Sequence, residues 1–418
     1  MQNFSVIFRT MAIGLIVLMI SLTGADSYAQ YTYTELLPQG WSWTYAHDIN
    51  DNGEVTGYGG SPSGEMTFVY SSSSFTSLLP PGWISSYGLR INNSGQVVGY
   101  GRSATVDKGF IYENGSYIEL LPPGLDWAWA IRNNEAGAVV GMGKDSFNNW
   151  IGFHYNNGTY AQILPPGWVQ SAAYGINELG DISGWGSDSA GIWKGFILRE
   201  GVYTELLPPG WSEAWAYGIN DAGQVIGEGL NASGIWIGFL YDNGSYTDLQ
   251  PSGWTNIVPE DINEAGTVTG YGNDGVSLKG FIYSEGIYST VLPPSRMSAE
   301  VIGINSSGQV AGKAYNGRHL DLIAFIATPC ELDPVRVSGI TTTYYSTIQE
   351  AYNAASTGDT IQTQRRLFTE NLYLNINKAL TLQGGYNCEY TAVTGSTILS
   401  GVLSLQNGRL TAENIIIQ

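Results

Sequence analysis

One six-residue motif occurs seven times in the chain, at steps of 42 or 43 residues. Two copies read LLPPGW, at 78–83 and 206–211, and the other five differ from it at one to three positions. A period near 42 residues lies in the range of propeller blades. Such a unit cannot bury both of its faces alone, so repeats of this length must pack against one another. The period therefore predicts a repeat architecture over most of the chain.

A second element keeps the same period and reads INNSGQVVGYG at 91–101 in its clearest form. Its asparagine is present in all seven copies, followed three residues later by glycine. Asparagine in a turn can bond its own backbone, and glycine accepts a positive φ. We weigh a ring of seven ligand sites against turn capping, and we favour a structural turn role for Asn50, Asn92, Asn134, Asn177, Asn220, Asn263 and Asn305.

A third element, such as KGFIYENGSY at 108–117, has two short β-type runs around a glycine turn, which indicates a hairpin. Each repeat thus supplies four strands, a to d. The repeats begin with a lone d-type strand at 31–37 and end with a, b and c strands only, so the first strand can complete the last sheet. We predict an all-β fold, a seven-bladed β-propeller of about 42-residue four-stranded repeats at residues 30–328.

The N-terminus has the pattern of a secretory signal peptide at residues 1–29. Arg9 precedes an apolar stretch at 11–23, and Ser27-Tyr28-Ala29 offers a cleavage site. The apolar run is too short to span a membrane comfortably, so we expect no membrane insertion after cleavage and a secreted, extracellular or cell-surface protein. The net charge of −19 argues against a nucleic-acid partner.

These repeats resemble the extracellular HAF-repeat family, whose units pair an Ile-Asn-x-x-Gly-x-Val-x-Gly stretch with a His-Ala-Phe strand. The resemblance covers roughly residues 31–328. Lys-Gly-Phe or Ile-Gly-Phe replaces His-Ala-Phe in this chain, and only Ala324-Phe325 keeps part of it. The resemblance implies a secreted repeat protein and supplies no catalytic residues.

The segment 329–418 departs from the repeat. It begins with a predicted helix, in which Thr347 and Glu350 form a capping-box pattern and Gly358 ends the helix. Short apolar runs follow, and the segment resembles the opening of a pectin-lyase-like right-handed parallel β-helix with one capping helix. The two cysteines, Cys330 and Cys388, either bridge as a disulfide or remain independent thiols.

No catalytic residue is predicted. The three histidines, His47, His154 and His319, fall in different phases of different repeats, so we predict no metal site and no cofactor. No phosphate loop or hydrolase motif is present. A glycosidase pair of carboxylates stays open, although the carboxylates at repeated positions fall in turns.

The motif tryptophans share one rim of the predicted ring with the variable b–c loops. Tryptophan there can stack on sugars or anchor a protein, or it can wedge between blades as core. We predict a non-enzymatic extracellular module for a glycan or protein partner, of unknown oligomeric state. The alternatives are a carbohydrate-active enzyme and a structural spacer of an envelope protein. The candidate ligand-binding residues are Trp41, Trp83, Trp168, Trp211 and Trp254.

Overall fold

The computed structural model describes residues 6–7, 31–317, 321–330, 332–338 and 341–417. Most of the predicted signal peptide and His319 lie outside these residues. Tyr33–Ala327 forms one compact unit, and the chain from Thr328 onwards belongs to another.

The first unit is a seven-bladed β-propeller, as the repeats predict. Seven antiparallel sheets each hold four strands in the order a-b-c-d, with strand a innermost. In the seventh sheet the outer strand is Tyr31–Leu36, which pairs with the strand Ile323–Pro329 from the other end of the repeats. The predicted closure by the lone first strand is therefore confirmed.

The two inner strands of each blade carry the residues that line the centre of the ring. Strands a, in blade order, are Thr44–Ile49, Ser85–Ile91, Leu125–Asn133, Trp168–Ile176, Glu213–Ile219, Thr255–Ile262 and Ser298–Ile304. Strands b are Val55–Ser61, Val97–Arg102, Val139–Asp145, Ile182–Asp188, Val225–Leu230, Val268–Asn273 and Val310–Tyr315.

The two outer strands complete each blade and end at the motif that leads to the next one. Strands c are Gly64–Ser71, Asp107–Glu113, Trp150–Asn156, Trp193–Arg199, Trp236–Asp242, Leu278–Ser284 and Ile323–Pro329. Strands d are Ser74–Leu78, Ser116–Leu120, Thr159–Ile163, Val202–Leu206, Ser245–Leu249, Ile287–Val291 and Tyr31–Leu36.

Each a–b ladder contains a register shift, which in the first blade falls between Ala46 and Asp48. A bulge of this kind leaves one residue unpaired and re-aims its side chain. The strand b glycine beside the bulge is required, because a Cβ on Gly57 would lie 2.0 Å from the carbonyl oxygen of Tyr45. The same contact recurs in every blade, at 2.0–2.1 Å, so the repeated glycine follows from this close approach.

One phenylalanine of each strand c forms the middle of the core between blades. All seven are at most 1% exposed. Four of them pack edge-on against motif tryptophans, as Phe196 does on Trp168 with ring centroids 5.9 Å apart. The core residues are Phe68, Phe110, Phe153, Phe196, Phe239, Phe281 and Phe325.

The second unit contains parallel ladders. One ladder joins Thr360–Gln364, Ala379–Tyr386 and Arg409–Glu413 in that order. A second ladder joins Leu367–Thr369, Thr397–Ser400 and Ile415–Ile417, and a third joins Leu372–Leu374 to Leu403–Leu405. Antiparallel strands extend the first ladder on both sides: Val335–Ser338 with Thr343–Tyr345, and Val6–Ile7.

The predicted helix is present as Ile348–Ala354, with Thr347 as its N-cap and a capping box to Glu350. The helix ends at Ala354, before the predicted Gly358, and its C-cap Ala355 is extended, with ψ at 147°. Cys330 and Cys388 are joined by a disulfide. Among the described residues, no helix has the length and apolar character needed to cross a membrane.

Candidate functional site

The seven repeated asparagines form a closed ring of hydrogen bonds at one end of the propeller. Within each turn the Oδ1 atom accepts a backbone N–H four residues on; in the fourth blade this is Asp181 N to Asn177 Oδ1, at 2.8 Å. The Nδ2 atom donates to the carbonyl oxygen of the equivalent asparagine in the next blade, so that Asn177 bonds Asn220 at 3.0 Å. The last link, from Asn305 to Asn50 at 3.0 Å, closes the circle. We call this set the Asn ring.

The Asn ring ties every blade to its neighbour. Its seven Nδ2···O distances lie between 2.9 and 3.2 Å, and all seven side chains are buried. The next residue in the turn adds a second, exposed set of links, as where Glu178 accepts the backbone N–H of Glu135. The repeated asparagine therefore both caps its own turn and clasps the next blade.

A layer of charged side chains lies beside the Asn ring, at the position two residues before each asparagine. Blades 1, 2, 3 and 6 place Asp48, Arg90, Arg132 and Asp261 there, and the other three blades have glycine. Arg132 bonds Asp261 at 2.8 Å although they belong to blades 3 and 6, so the pair crosses the centre of the ring. We call these four residues the charge layer.

Three of the four side chains of the charge layer, Asp48, Arg90 and Asp261, are at most 7% exposed, and burial changes the ionisation of Asp48. Burial raises the pKa of Asp48 to about 6, against the lowering effect of Arg90. Asp48 also accepts the backbone N–H of Ile91 at 2.9 Å. The layer thus lies across the centre of the ring, next to the Asn ring.

The residues that the a–b bulges leave unpaired form the next layer, on the side of the charge layer away from the Asn ring. Glu260 is the one carboxylate of this layer. No hydrogen bond or ion pair to Glu260 is found within the described part of the chain. Burial raises its pKa to about 8, with Glu228 and Glu300 adding to the shift and Arg90 and Lys313 opposing it. Tyr174 and Tyr217 belong to the same layer, with ring centroids 5.0 Å apart.

Seven cross-strand pairs surround the open end of the centre, and we call them the mouth. Tyr45 lies five residues before Asn50, about 16 Å along the strand at 3.3 Å per residue. The pairs differ from blade to blade, whereas the asparagines do not. In blade order they are Tyr45–Tyr58, Tyr87–Tyr100, Trp129–Met142, Ala172–Trp185, Trp215–Glu228, Val258–Tyr271 and Glu300–Lys313.

Aromatic rings of the mouth touch in a continuous arc over blades 1 to 5. Successive centroids lie 4.3 to 5.9 Å apart, and every ring is partly exposed. Three further tryptophans from strands a and c extend the mouth rings at its edge. We call this set the aromatic arc; its members are Tyr58, Tyr87, Tyr100, Trp129, Trp127, Trp150, Trp185, Trp215 and Trp236.

Blades 5 and 7 give the mouth an acidic side. Glu228 accepts a hydrogen bond from the Tyr217 hydroxyl at 2.8 Å, and burial raises its pKa. Glu300 pairs with Lys313 at 3.0 Å. The mouth therefore combines flat apolar faces on one side with carboxylates on the other.

The motif tryptophans occupy a different place, and three of the five fit the alternative in which the ring wedges between blades as core, whereas Trp41 and Trp211 are partly exposed. Trp83, Trp168 and Trp254 are only 5–6% exposed. The indole N–H groups of Trp83 and Trp168 are held by Glu119 and Glu205, at 2.9 and 3.2 Å. Four of the five stand edge-on to a core phenylalanine: Trp41, Trp83, Trp168 and Trp211.

No group of three metal-ligating side chains occurs in the described ranges. His47 is a bulge residue that stacks on both Tyr45 and Tyr58, and burial holds its pKa well below the usual range. His154 lies in strand c of blade 3, where burial also lowers its pKa. The structure does not bring these two histidines together.

The aromatic arc was missed in the sequence because its residues are not repeated. Six of its nine residues occupy the variable position of the repeated Gly-x-Gly in strand b, read as GYG, GMG, GWG or GEG, or the paired position in strand a. The signal in the sequence is that aromatic residues are frequent at that position.

No protein-family model matches the chain, and no curated protein matches it in sequence. Several solved propeller structures are similar to it in fold. A streptogramin B lyase structure matches 72% of this chain and 99% of its own, with 13% identity and a TM-score of 0.48. The propeller domain of a trilobed protease from Pyrococcus furiosus matches 66% and 92%, with 11% identity and a TM-score of 0.47. TolB from Acinetobacter baumannii matches 72% and 80%, with 14% identity and a TM-score of 0.40. These similarities concern the fold alone.

Proposed function

We propose that the protein is a non-enzymatic extracellular binding module whose ligand is a glycan held at the mouth of the propeller. The observation that carries the proposal is the aromatic arc. Its rings are partly exposed and mutually supported, so they offer flat apolar surface that costs little further ordering on binding. Sugar rings stack on such faces, and neighbouring carboxylates such as Glu228 can accept hydrogen bonds from hydroxyl groups.

The remaining parts of the chain fit this role in the proposal. The N-terminal pattern and the likeness to HAF repeats support export. The parallel ladders after Thr360, preceded by one capped helix, support the opening of a right-handed β-helix. We assign no ligand to that unit.

A glycan-array screen of the purified chain tests the proposal, followed by titration of the best ligand against two variants. Trp185→Ala and Trp129→Ala each remove one ring of the arc and should weaken binding by roughly tenfold or more. Tyr373→Ala, an aromatic that is 50% exposed in the second unit, is the matched control and should bind normally. If no glycan binds, or if the control loses as much affinity as the two variants, a protein-binding module or a structural spacer becomes the better hypothesis.

A carbohydrate-active enzyme is the second candidate, because Glu260 and Glu228 are carboxylates with raised pKa values on one side of the mouth. A protonated acid beside an ionised carboxylate is the pairing that glycoside hydrolysis uses. Hydrolysis of a bound polysaccharide that disappears in Glu260→Gln while binding persists would favour this candidate.

A further inference from the structure

Lys144 is a cation that lies beside two rings of the aromatic arc. It belongs to strand b of blade 3, in register with Trp127 of strand a on one side and with Trp150 of strand c on the other. Residues directly opposite each other on neighbouring strands share one face of the sheet. The two indoles contact each other with ring centroids 5.4 Å apart, and Lys144 Nζ lies 4.7 Å from the ring centroid of Trp150. We call these three residues the blade 3 row.

No carboxylate among the described residues forms an ion pair with Lys144. Its Nζ atom donates to the amide oxygen of Asn148 at 2.9 Å, and since an ammonium group has three donors, capacity is left for an anionic partner. The adjacent Asp145 accepts the backbone N–H groups of its own loop instead, from Phe147 and Asn149, both at 2.9 Å. The other propeller lysines each pair with an aspartate or glutamate: Lys108, Lys194, Lys279 and Lys313.

Blade 2 shows how the chain neutralises a cation at the same position of the repeat. Arg102 occupies the strand b position equivalent to Lys144, and its partner in strand c is Asp107. The two side chains form an ion pair at 3.0 Å. In blade 3 the strand c partner is Trp150, so an aromatic ring stands where blade 2 has the counter-ion. The blade 3 row therefore has a cation without the carboxylate that the repeat can supply.

We infer that the blade 3 row binds a uronic acid residue of the glycan, with the carboxylate on Lys144 and the sugar ring against the neighbouring indoles. The inference rests on the proposed glycan-binding function and names the ligand class as an acidic polysaccharide. A uronate carries its carboxylate directly on the sugar ring, so that one residue offers both an anion and a flat C–H face. An acidic peptide offers the anion without that face.

The acidity of the rest of the chain acts against an anionic ligand elsewhere, which favours this row as the place of the carboxylate. The mouth carboxylates Glu228 and Glu300 belong to blades 5 and 7, so they are not on the blades next to blade 3. The net charge of −19 repels a polyanion at long range, but salt at about 0.15 M screens this repulsion beyond roughly 8 Å. The direct contact with Lys144 is shorter than that length and is screened much less.

Titration calorimetry at neutral pH with two hexasaccharides tests the inference. One is a β-1,4-linked glucuronate hexamer, and the other is cellohexaose, which has a hydroxymethyl group in place of each carboxylate. The glucuronate hexamer should bind about tenfold tighter, the value of one charge-assisted contact. Lys144→Met should remove about that factor and leave cellohexaose binding within about twofold. Arg102→Met is the matched control, because it removes the same charge where Asp107 already neutralises it, and should keep the preference.

Equal affinity of the wild type for the two hexasaccharides would overturn the inference and keep the glycan-binding proposal, and so would a preference that survives in Lys144→Met or disappears equally in Arg102→Met. Binding of neither hexasaccharide would overturn both. Hexaglutamate is the third probe: if it binds more tightly than the glucuronate hexamer and Trp150→Ala does not weaken it, the row takes an acidic peptide and the inference is wrong. Retained cellohexaose binding shows that Lys144→Met is folded.

Discussion

The two ends of the propeller's centre are built by the same seven repeats in opposite ways. At the Asn ring every blade supplies the same residue, and all seven side chains have both a donor and an acceptor partner. At the mouth the seven pairs differ. Of the six buried side-chain atoms without a partner among the described residues, four belong to the charge layer or the mouth, namely the Nε or Nε1 atoms of Arg90, Trp129, Arg132 and Trp215.

This difference separates two kinds of position within one repeat. A residue that closes a ring must be the same in every blade, because one missing link opens the circle. A residue that faces a ligand does not need to be the same in every blade. Unsatisfied buried groups are costly, and native structures keep few of them. Repetition therefore marks stability in this protein, and variation at a fixed phase marks the candidate site.

The largest effect should come from a repeated tryptophan. Trp168→Ala removes a buried ring that packs on Phe196 and bonds Glu205, and should cost about 3–5 kcal/mol of unfolding free energy. Denaturant unfolding of the purified chain measures this loss. Trp168→Phe keeps an aromatic on Phe196 and should recover part of the loss. A wild-type unfolding midpoint in Trp168→Ala would contradict the assignment of this ring to the core.

Breaking one link of the Asn ring should have the next largest effect. Asn177→Ala leaves the N–H of Asp181 and the carbonyl of Asn220 without their partner, which should cost about 2–3 kcal/mol. The control is Leu179→Ala, which changes a 71% exposed side chain in the same turn. Equal stability of the two variants would show that the ring is not the clasp we describe.

The stability of the protein should depend on pH through Glu260, at the open end of the propeller's centre. The pKa of Glu260 is raised from 4.5 to about 8 in the folded protein, so folding favours its protonated form. The resulting stabilisation is complete below pH 4.5 and is lost as the pH rises towards 8. Wild type should lose about 1–3 kcal/mol relative to Glu260→Gln over this range, after allowance for solvent near the site.

Unfolding curves of both proteins at intervals from pH 4.5 to 8 measure this difference. His47 acts with the opposite sign and is common to both, since its lowered pKa costs stability as the pH falls below 6.5. Parallel pH profiles for wild type and Glu260→Gln would mean that Glu260 does not carry a raised pKa.

The sequence predicts the repeated part of this molecule well and the variable part poorly. Period, strand count and the closing strand follow from residues that recur, and so does the turn role of asparagine. The link from Asn177 to Asn220 could not be predicted, because it depends on the curvature that brings successive turns together. The arc stayed hidden for the same reason, since Tyr100 and Trp129 become neighbours only when blades 2 and 3 pack. The motif tryptophans were placed on the correct connection, but the depth at which Trp168 packs is a property of the closed ring.

Blade 4 has a second tryptophan, Trp185, whose replacement should have the smallest effect on stability and the largest effect on binding. Trp185 lies at the mouth in strand b, partly exposed, and touches Trp150, Trp193 and Trp215 rather than a core phenylalanine. Trp185→Ala should therefore cost at most about 1–2 kcal/mol, less than Trp168→Ala, because solvent can fill the space that the ring leaves. Its glycan affinity should fall by roughly tenfold or more, while Trp168→Phe should bind as wild type. Calorimetric titration and denaturant unfolding of the same preparations give the glycan affinity and the unfolding free energy of each variant. If Trp185→Ala is as unstable as Trp168→Ala and its glycan affinity is unchanged, the two ends do not differ in the way described. The aromatic arc would then be part of the core and not a binding site.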